Sequence, residues 1–150
     1  MTLKEQINSE FVTAFKARNE RKKSALSMLK AKITEGEKAN KNTELTDAEV
    51  MKVILAQVKQ RKQSIEEFTK AGRTELVEKE IAELESIEAF LPKQMSDSEI
   101  EAEVRVLIQR FPEVSTNRNA LIGKTMGAFN KEFQGKAEPQ KVKAIIESIL

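Results

Sequence analysis

Leu91-Pro92-Lys93-Gln94-Met95-Ser96-Asp97-Ser98-Glu99 is where the chain changes from one helical segment to another. Proline disfavours helical backbone at the residue before it, so the segment reaching Leu91 stops there. Ser96 followed three residues later by Glu99 has the spacing of a capping box. The serine oxygen accepts from the Glu99 amide and the carboxylate reaches back to the start of the next helix. One helix ending where another begins predicts a boundary, with domains over 1–92 and 93–150.

Upstream of that boundary the apolar spacing predicts four helices. Leu3, Ile7, Phe11 and Ala14 give the first a core stripe over 3–18, widened by Phe15. Asn19 can cap a second over about 20–36, carrying Leu26, Leu29 and Ile33, with Gly36 opening a loop that lasts to Thr43. Thr46-Asp47-Ala48-Glu49 repeats the capping-box spacing. The third helix then has Val50, Ile54, Val58, Ile65 and Phe68 on its apolar face and Lys59, Arg61 and Lys62 on a basic one. Ala71-Gly72 breaks it, and Val77, Ile81, Leu84 and Ile87 mark a fourth over 73–90.

Downstream, Ile100, Val104 and Leu107 mark a fifth helix, ending near Phe111-Pro112. A sixth over 118–134 offers Leu121, Met126, Phe129 and Phe133 to a core and stops at Gly135. Pro139 suits the first turn of the last, which carries Val142, Ile145, Ile146 and Ile149. The expected fold class is all-α: an N-terminal four-helix domain followed by a small three-helix domain.

Composition narrows the chemistry. The 150 residues include no cysteine and no histidine. A disulfide scaffold, a thiol nucleophile, histidine acid/base catalysis and an ordinary zinc site are therefore out of reach. The first residues meet charge too early for a secretory signal, and no run of about 18 apolar residues spans a bilayer. A cytoplasmic protein without membrane association is the expectation. No serine has a nucleophile setting. Glu75, Glu78, Glu80, Glu83, Glu85 and Glu88 read as a solvated, ion-paired helix surface rather than a catalytic or magnesium site. No catalytic residue, metal or cofactor is expected.

A net charge of +2 conceals strong patterning. Residues 4–32 carry an excess of +5, residues 66–88 an excess of −5, and residues 117–143 an excess of +4. The basic segments can attract a polyanion or can be ordinary salt-bridged helix faces. In Ile122-Gly123-Lys124-Thr125-Met126-Gly127-Ala128-Phe129, two glycines four apart share one helix face. Each weakens a helix interior by about 1 kcal/mol relative to alanine, so packing or contact should offset it. A tight helix junction and a binding surface both fit. Gly123-Lys124-Thr125 lacks the upstream glycine-rich loop of a nucleotide site. Lys124, Lys131, Lys136, Lys141 and Lys143 can reach phosphates, and Arg118 can add a bidentate contact. Phe129 and Phe133 read as core residues rather than stacking platforms. Without a strongly basic domain, folded RNA suits the chain better than a long duplex, a preference that draws also on a family resemblance, and no DNA preference is expected.

Several short motifs together carry a family resemblance. They are Arg21-Lys22-Lys23 with Leu26, Leu29-Lys30 and Ile33; Lys59-Gln60-Arg61-Lys62-Gln63-Ser64-Ile65; and Ala71-Gly72-Arg73-Thr74-Glu75-Leu76. Glu80, Glu83-Leu84, Leu91-Pro92-Lys93-Gln94, Ile122-Gly123-Lys124-Thr125-Met126-Gly127, Gly135-Lys136 and Val142 continue the pattern. The chain resembles the GatB/YqeY family over almost its full length. The resemblance implies a C-terminal domain similar to the tail of the aspartyl/glutamyl-tRNA amidotransferase B subunit, which helps engage tRNA while amide transfer occurs elsewhere. It implies a noncatalytic module that binds tRNA or associates with a tRNA amidotransferase. By position it transfers Gly123, Lys124 and Gly127 to a recognition surface, with Gly135 and Lys136 supporting its turn. The family pattern continues with an acidic-Gly-Lys style turn, where this chain has Ala137-Glu138-Pro139-Gln140. The family's association with glutamine-dependent carbon–nitrogen ligases leaves two alternatives: a protein-interaction adaptor, or an auxiliary component of such a ligase.

Overall fold

A computed structural model describes residues 1–150 and contains seven α-helices, one 3-10 turn and no strands. Two compact units make up the chain, Met1–Leu91 and Pro92–Leu150.

The first unit holds α1 (Leu3–Lys16), α2 (Glu20–Ala39), α3 (Asp47–Lys70) and α4 (Thr74–Glu88). Thr46 and Glu49 form the expected capping box at α3, and Thr2 with Glu5 forms another at α1. Asn19 caps α2 through a bond from the Lys22 amide. α3 ends at a left-handed Gly72 (φ +71°), with the Arg73 and Gly72 amides bonded back to the Phe68 and Thr69 carbonyls. That pair of bonds satisfies carbonyls the helix would otherwise leave open. Leu3, Ile7, Leu26, Leu29, Ile33, Val50, Ile54 and Ile87 form the buried centre.

Four sequence expectations need correction here. α1 stops at Lys16, because Arg18 turns into left-handed backbone (φ +57°). Phe15 does not join the core: it is 58% exposed, and the Lys23 ammonium lies 5.0 Å from its ring centre. Ile81 is exposed as well. Gly36 opens no loop, since α2 runs through it to Ala39. A Cβ on Gly36 would lie 3.1 Å from Leu45 Cδ1, so this glycine admits the returning chain rather than ending the helix.

Glu37 anchors the same return. Its carboxylate accepts from Lys4 Nζ at 2.8 Å and from the Leu45 amide at 3.2 Å. The Lys4 bond first, and the Leu45 amide second, hold the Glu37 carboxyl below the ordinary carboxylate range. The Glu37 bond raises Lys4 in turn. A depressed carboxyl contributes stability above its unfolded-state value and loses it as pH falls through the folded one. The raised lysine contributes below its unfolded-state value and loses that only as pH rises through its folded one. The stability gap between wild type and Glu37→Gln is therefore expected to narrow as pH falls from about 5 to 3, the range in which carboxylates protonate. Urea midpoints at each pH measure it; a gap independent of pH in that range would remove this role from Glu37.

The second unit holds α5 (Asp97–Ile108), a 3-10 turn (Pro112–Val114), α6 (Arg118–Glu132) and α7 (Pro139–Ile149). Ser96 and Glu99 make the expected capping box, Asn117 caps α6 and Pro139 opens α7. α6 ends at Glu132, two residues before the expected stop. Ile100, Val104, Leu107, Phe129, Val142 and Ile146 are each at most 1% exposed and fill the centre. The three helices pack mutually.

Candidate functional site

α6 presents two chemically different faces. Leu121, Ile122, Thr125 and Phe129 point into the core, and Phe133 packs its ring 5.0 Å from that of Phe129. Phe129 is therefore a core residue, as its spacing implies, and not a stacking platform. Thr125 is fully buried, so Gly123-Lys124-Thr125 offers no hydroxyl to a phosphate or its magnesium. Gly123 and Gly127 lie on the exposed face. A Cβ built on either would meet nothing within 4 Å. The glycines thus serve no helix junction within the Pro92–Leu150 unit, and the roughly 1 kcal/mol cost of each is not returned by packing there.

The basic residues around this face differ in how far their charge is already engaged. Lys124 Nζ pairs with Glu113 Oε1 at 3.1 Å and lies 5.8 Å from the centre of the Phe111 ring. Glu113 is held below the ordinary carboxylate range, first by its own backbone amide and then by Lys124. Lys141 pairs with Asp97 at 2.6 Å, while Lys143 lies 3.9 Å from Glu147 along its own helix. Arg118 donates a long 3.5 Å bond to the Glu147 carbonyl at the end of α7. Lys131 and Lys136 are exposed and have no carboxylate within 4.0 Å.

The nine sequence candidates are accordingly spread rather than gathered into one pocket. Gly123, Lys124, Gly127 and Lys131 follow α6, while Arg118 and Lys143 are tied to the Glu147 end of α7. Gly135, Lys136 and Lys141 lie where the chain before α5 crosses the α6–α7 turn. That crossing is closely bonded: the Met95 amide donates to the Lys136 carbonyl at 2.8 Å, and Gln94 Nε2 donates to the Gly135 carbonyl at 2.7 Å. Gly135 adopts φ +76°, which a side chain would strain. Gln94 was legible only as part of a motif; its role as a latch holding Gly135 and Lys136 is a tertiary contact with no local signature.

A second polar cluster shows the ion pairing expected of the α4 glutamates, and corrects their expected solvation at Glu83, which is buried. Arg61 and Glu83 are 6% and 3% exposed. The Arg61 guanidinium bonds Glu83, donates to Glu80 at 3.1 Å and touches Met28 Sδ at 3.7 Å. One cation faces two carboxylates, and Arg61 Nε and Glu83 Oε1 have no partner. No group of three or more acidic residues is placed to hold a metal ion. The cluster fits a structural clamp joining α3, α4 and α2.

Comparison with known proteins adds the family. A profile described as Yqey-like protein matches residues 4–150. The chain belongs to the YqeY-like family. An uncharacterized protein of Schizosaccharomyces pombe is 40% identical over 79 residues, covering 51% of this chain and 64% of that protein. The chain therefore spans less than two thirds of that relative's length. A protein of Pyrenophora tritici-repentis named Altered inheritance of mitochondria protein 41, mitochondrial, is 26% identical over 125 residues, covering 82% of this chain and 68% of the relative. Neither relative's name states a ligand or a reaction. No helix is long and apolar enough to cross a membrane.

Proposed function

We propose that the Pro92–Leu150 unit is a noncatalytic recognition surface for folded tRNA, acting beside a tRNA amidotransferase in the cytoplasm. The observation that carries this reading is the open glycine face of α6, where Gly123 and Gly127 leave room for close approach. Lys131, one turn beyond Gly127 on α6, supplies free charge beside it, Lys136 supplies more at the α6–α7 turn, and Lys124 adds to these once Glu113 yields. Phosphates are steered by the lysines, while shape complementarity at the glycines selects a folded RNA over an unstructured one. The resemblance of this segment to the amidotransferase B-subunit tail supports tRNA as the ligand. Turnover belongs to the partner enzyme, and this chain contributes binding.

The test is a titration of tRNA and a length-matched unstructured RNA at about 0.15 M salt and above. Preferential tRNA binding is expected. Lys131→Ala with Lys136→Ala should flatten the plot of log affinity against log salt by about 0.7–0.9 for each lysine removed. Gly123→Ala and Gly127→Ala should stabilise the unit by about 1 kcal/mol each, since the added methyl meets open space. The same two changes should weaken tRNA binding. Equal, weak binding of both RNAs would reject the reading. A protein partner docking on the glycine face would then lead, a reading that the internal pairing of Lys124, Lys141 and Lys143 favours.

A further inference from the structure

The Met1–Leu91 unit carries two surfaces of opposite charge, each with exposed apolar side chains at its centre. On α1 and α2, Val12, Phe15 and Met28 are 47%, 58% and 51% exposed. Met28 lines an open groove of about 430 Å³ along α2, together with Lys23, Ser24, Ser27, Ala31 and Glu20. Lys23 belongs both to this groove and to the face of the Phe15 ring, so the two features are continuous. Lys16, Arg18, Arg21 and Lys30 lie on the same two helices or their joining turn, and none has a carboxylate within 4.0 Å. Lys30 instead lies 4.2 Å from the centre of the Phe11 ring. A patch with an apolar centre and a cationic rim is the form of a protein contact.

The complement is present on the chain itself. α4 exposes Ile81 at 40%, with Glu78 one turn before it and Glu85 one turn after. Glu75 extends the acidic face, and none of these three carboxylates has a cation within 4.0 Å. The acidic residues of α4 that do find partners, Glu80, Glu83 and Glu88, pair with Arg61 or Lys62. What remains outward is an acidic helix face with an apolar centre. We propose that a second copy of this chain docks its α4 face, centred on Ile81, onto the α1–α2 groove beside Phe15. Such an occupant places Glu78 and Glu85 among the unpaired cations, and Ile81 against the Phe15 ring and Met28. Nucleic acid would satisfy the cations but would leave Val12 and Met28 without apolar partners. A reciprocal pair of such contacts closes a two-fold dimer, whereas a single contact grows head to tail or closes into a larger ring.

The chain has no cysteine, which makes pairwise cross-linking direct. Phe15→Cys and Ile81→Cys change exposed side chains and leave the core intact. Mixed under mild oxidation, they are expected to give the Phe15–Ile81 cross-linked species severalfold more rapidly than either gives with Val106→Cys, an exposed control site. Sedimentation of the wild type should show average mass rising with concentration and returning to the monomer at about 0.5 M salt, where charge attraction is screened. Phe15→Ser should abolish the rise at low salt. A monomer at every concentration, or cross-linking no better than the control, would overturn the proposal. So would loss of RNA binding in Lys16→Glu with Arg21→Glu accompanied by no self-association, which would assign the patch to nucleic acid.

Discussion

Arg61→Ala is expected to destabilise the Met1–Leu91 unit by about 3–5 kcal/mol, because it leaves the Glu83 carboxylate buried without its cation. A unit of this size has about 5–14 kcal/mol in all, so the loss is a large part of the total. Each kcal/mol lowers the melting point of such a unit by about 4–8 °C. The expected drop is accordingly tens of degrees. The size of the effect differs for other changes at the same place. Glu83→Gln removes one of two carboxylates facing a single guanidinium, and Glu80 still neutralises Arg61, so its cost should be smaller. Arg61→Met with Glu83→Leu replaces the pair by apolar volume and should come close to wild type or exceed it, as desolvation of both charges is avoided. Urea unfolding of the three variants distinguishes these cases. A cost below about 1 kcal/mol for Arg61→Ala, the range of exposed pairs, would mean that the cluster is solvated.

That cluster also marks a limit of what could be read from the chain. Helices were legible because their signals are local: Thr46 with Glu49, Ser96 with Glu99, Asn19 and Pro139 sit at the ends they cap or open. Apolar spacing likewise placed Ile7, Leu29, Ile54 and Val104 inward. Arg61 and Glu83 look like surface residues in isolation, and only the packing of α3 on α4 buries them together. Phe15 and Ile81 show the opposite error. Each sits at helical spacing from core residues but at the edge of the stripe, where the neighbouring helix decides the outcome. Gly36 looks like a break in the sequence because its use depends on Leu45 returning across it.

The candidate surface was legible in kind more than in arrangement. Two glycines at i and i+4 announce one face of a helix, and the sequence could not say whether that face was packed. The open space at Gly123 and Gly127 answers that for the Pro92–Leu150 unit. The lysines were equal in the sequence and are not equal in the fold. Lys141 is drawn to Asp97 at the start of α5 and Lys124 to Glu113 in the preceding turn, whereas Lys131 and Lys136 stay free. Pairing of this kind depends on which helix ends meet, which composition does not contain.

Phe129→Ala provides the strongest test of the second unit. Phe129 is 1% exposed, and its ring lies 5.0 Å from that of Phe133 at a tilt of 43°. Truncating a buried phenylalanine costs about 3–5 kcal/mol in lost transfer energy and cavity formation. A unit of 59 residues has about 3–9 kcal/mol to lose. If its stability lies in the lower part of that range, as suits so small a core, the loss exhausts it, and α5, α6 and α7 should unfold at 25 °C while α1 to α4 persist. Circular dichroism should show roughly a third of the helical signal missing and the remainder melting near the wild-type temperature of the first unit. Phe129→Leu keeps most of the volume and should retain the signal. Phe129 is on the inward face of α6, so tRNA binding should fail in the alanine variant without any change to Lys131, Lys136 or the glycines. Cooperative loss of all the helices in one transition would show that the two units unfold as one block, and would overturn this prediction. Retention of the full helical signal would show instead that the second unit has more stability than the roughly 3–5 kcal/mol that the truncation removes.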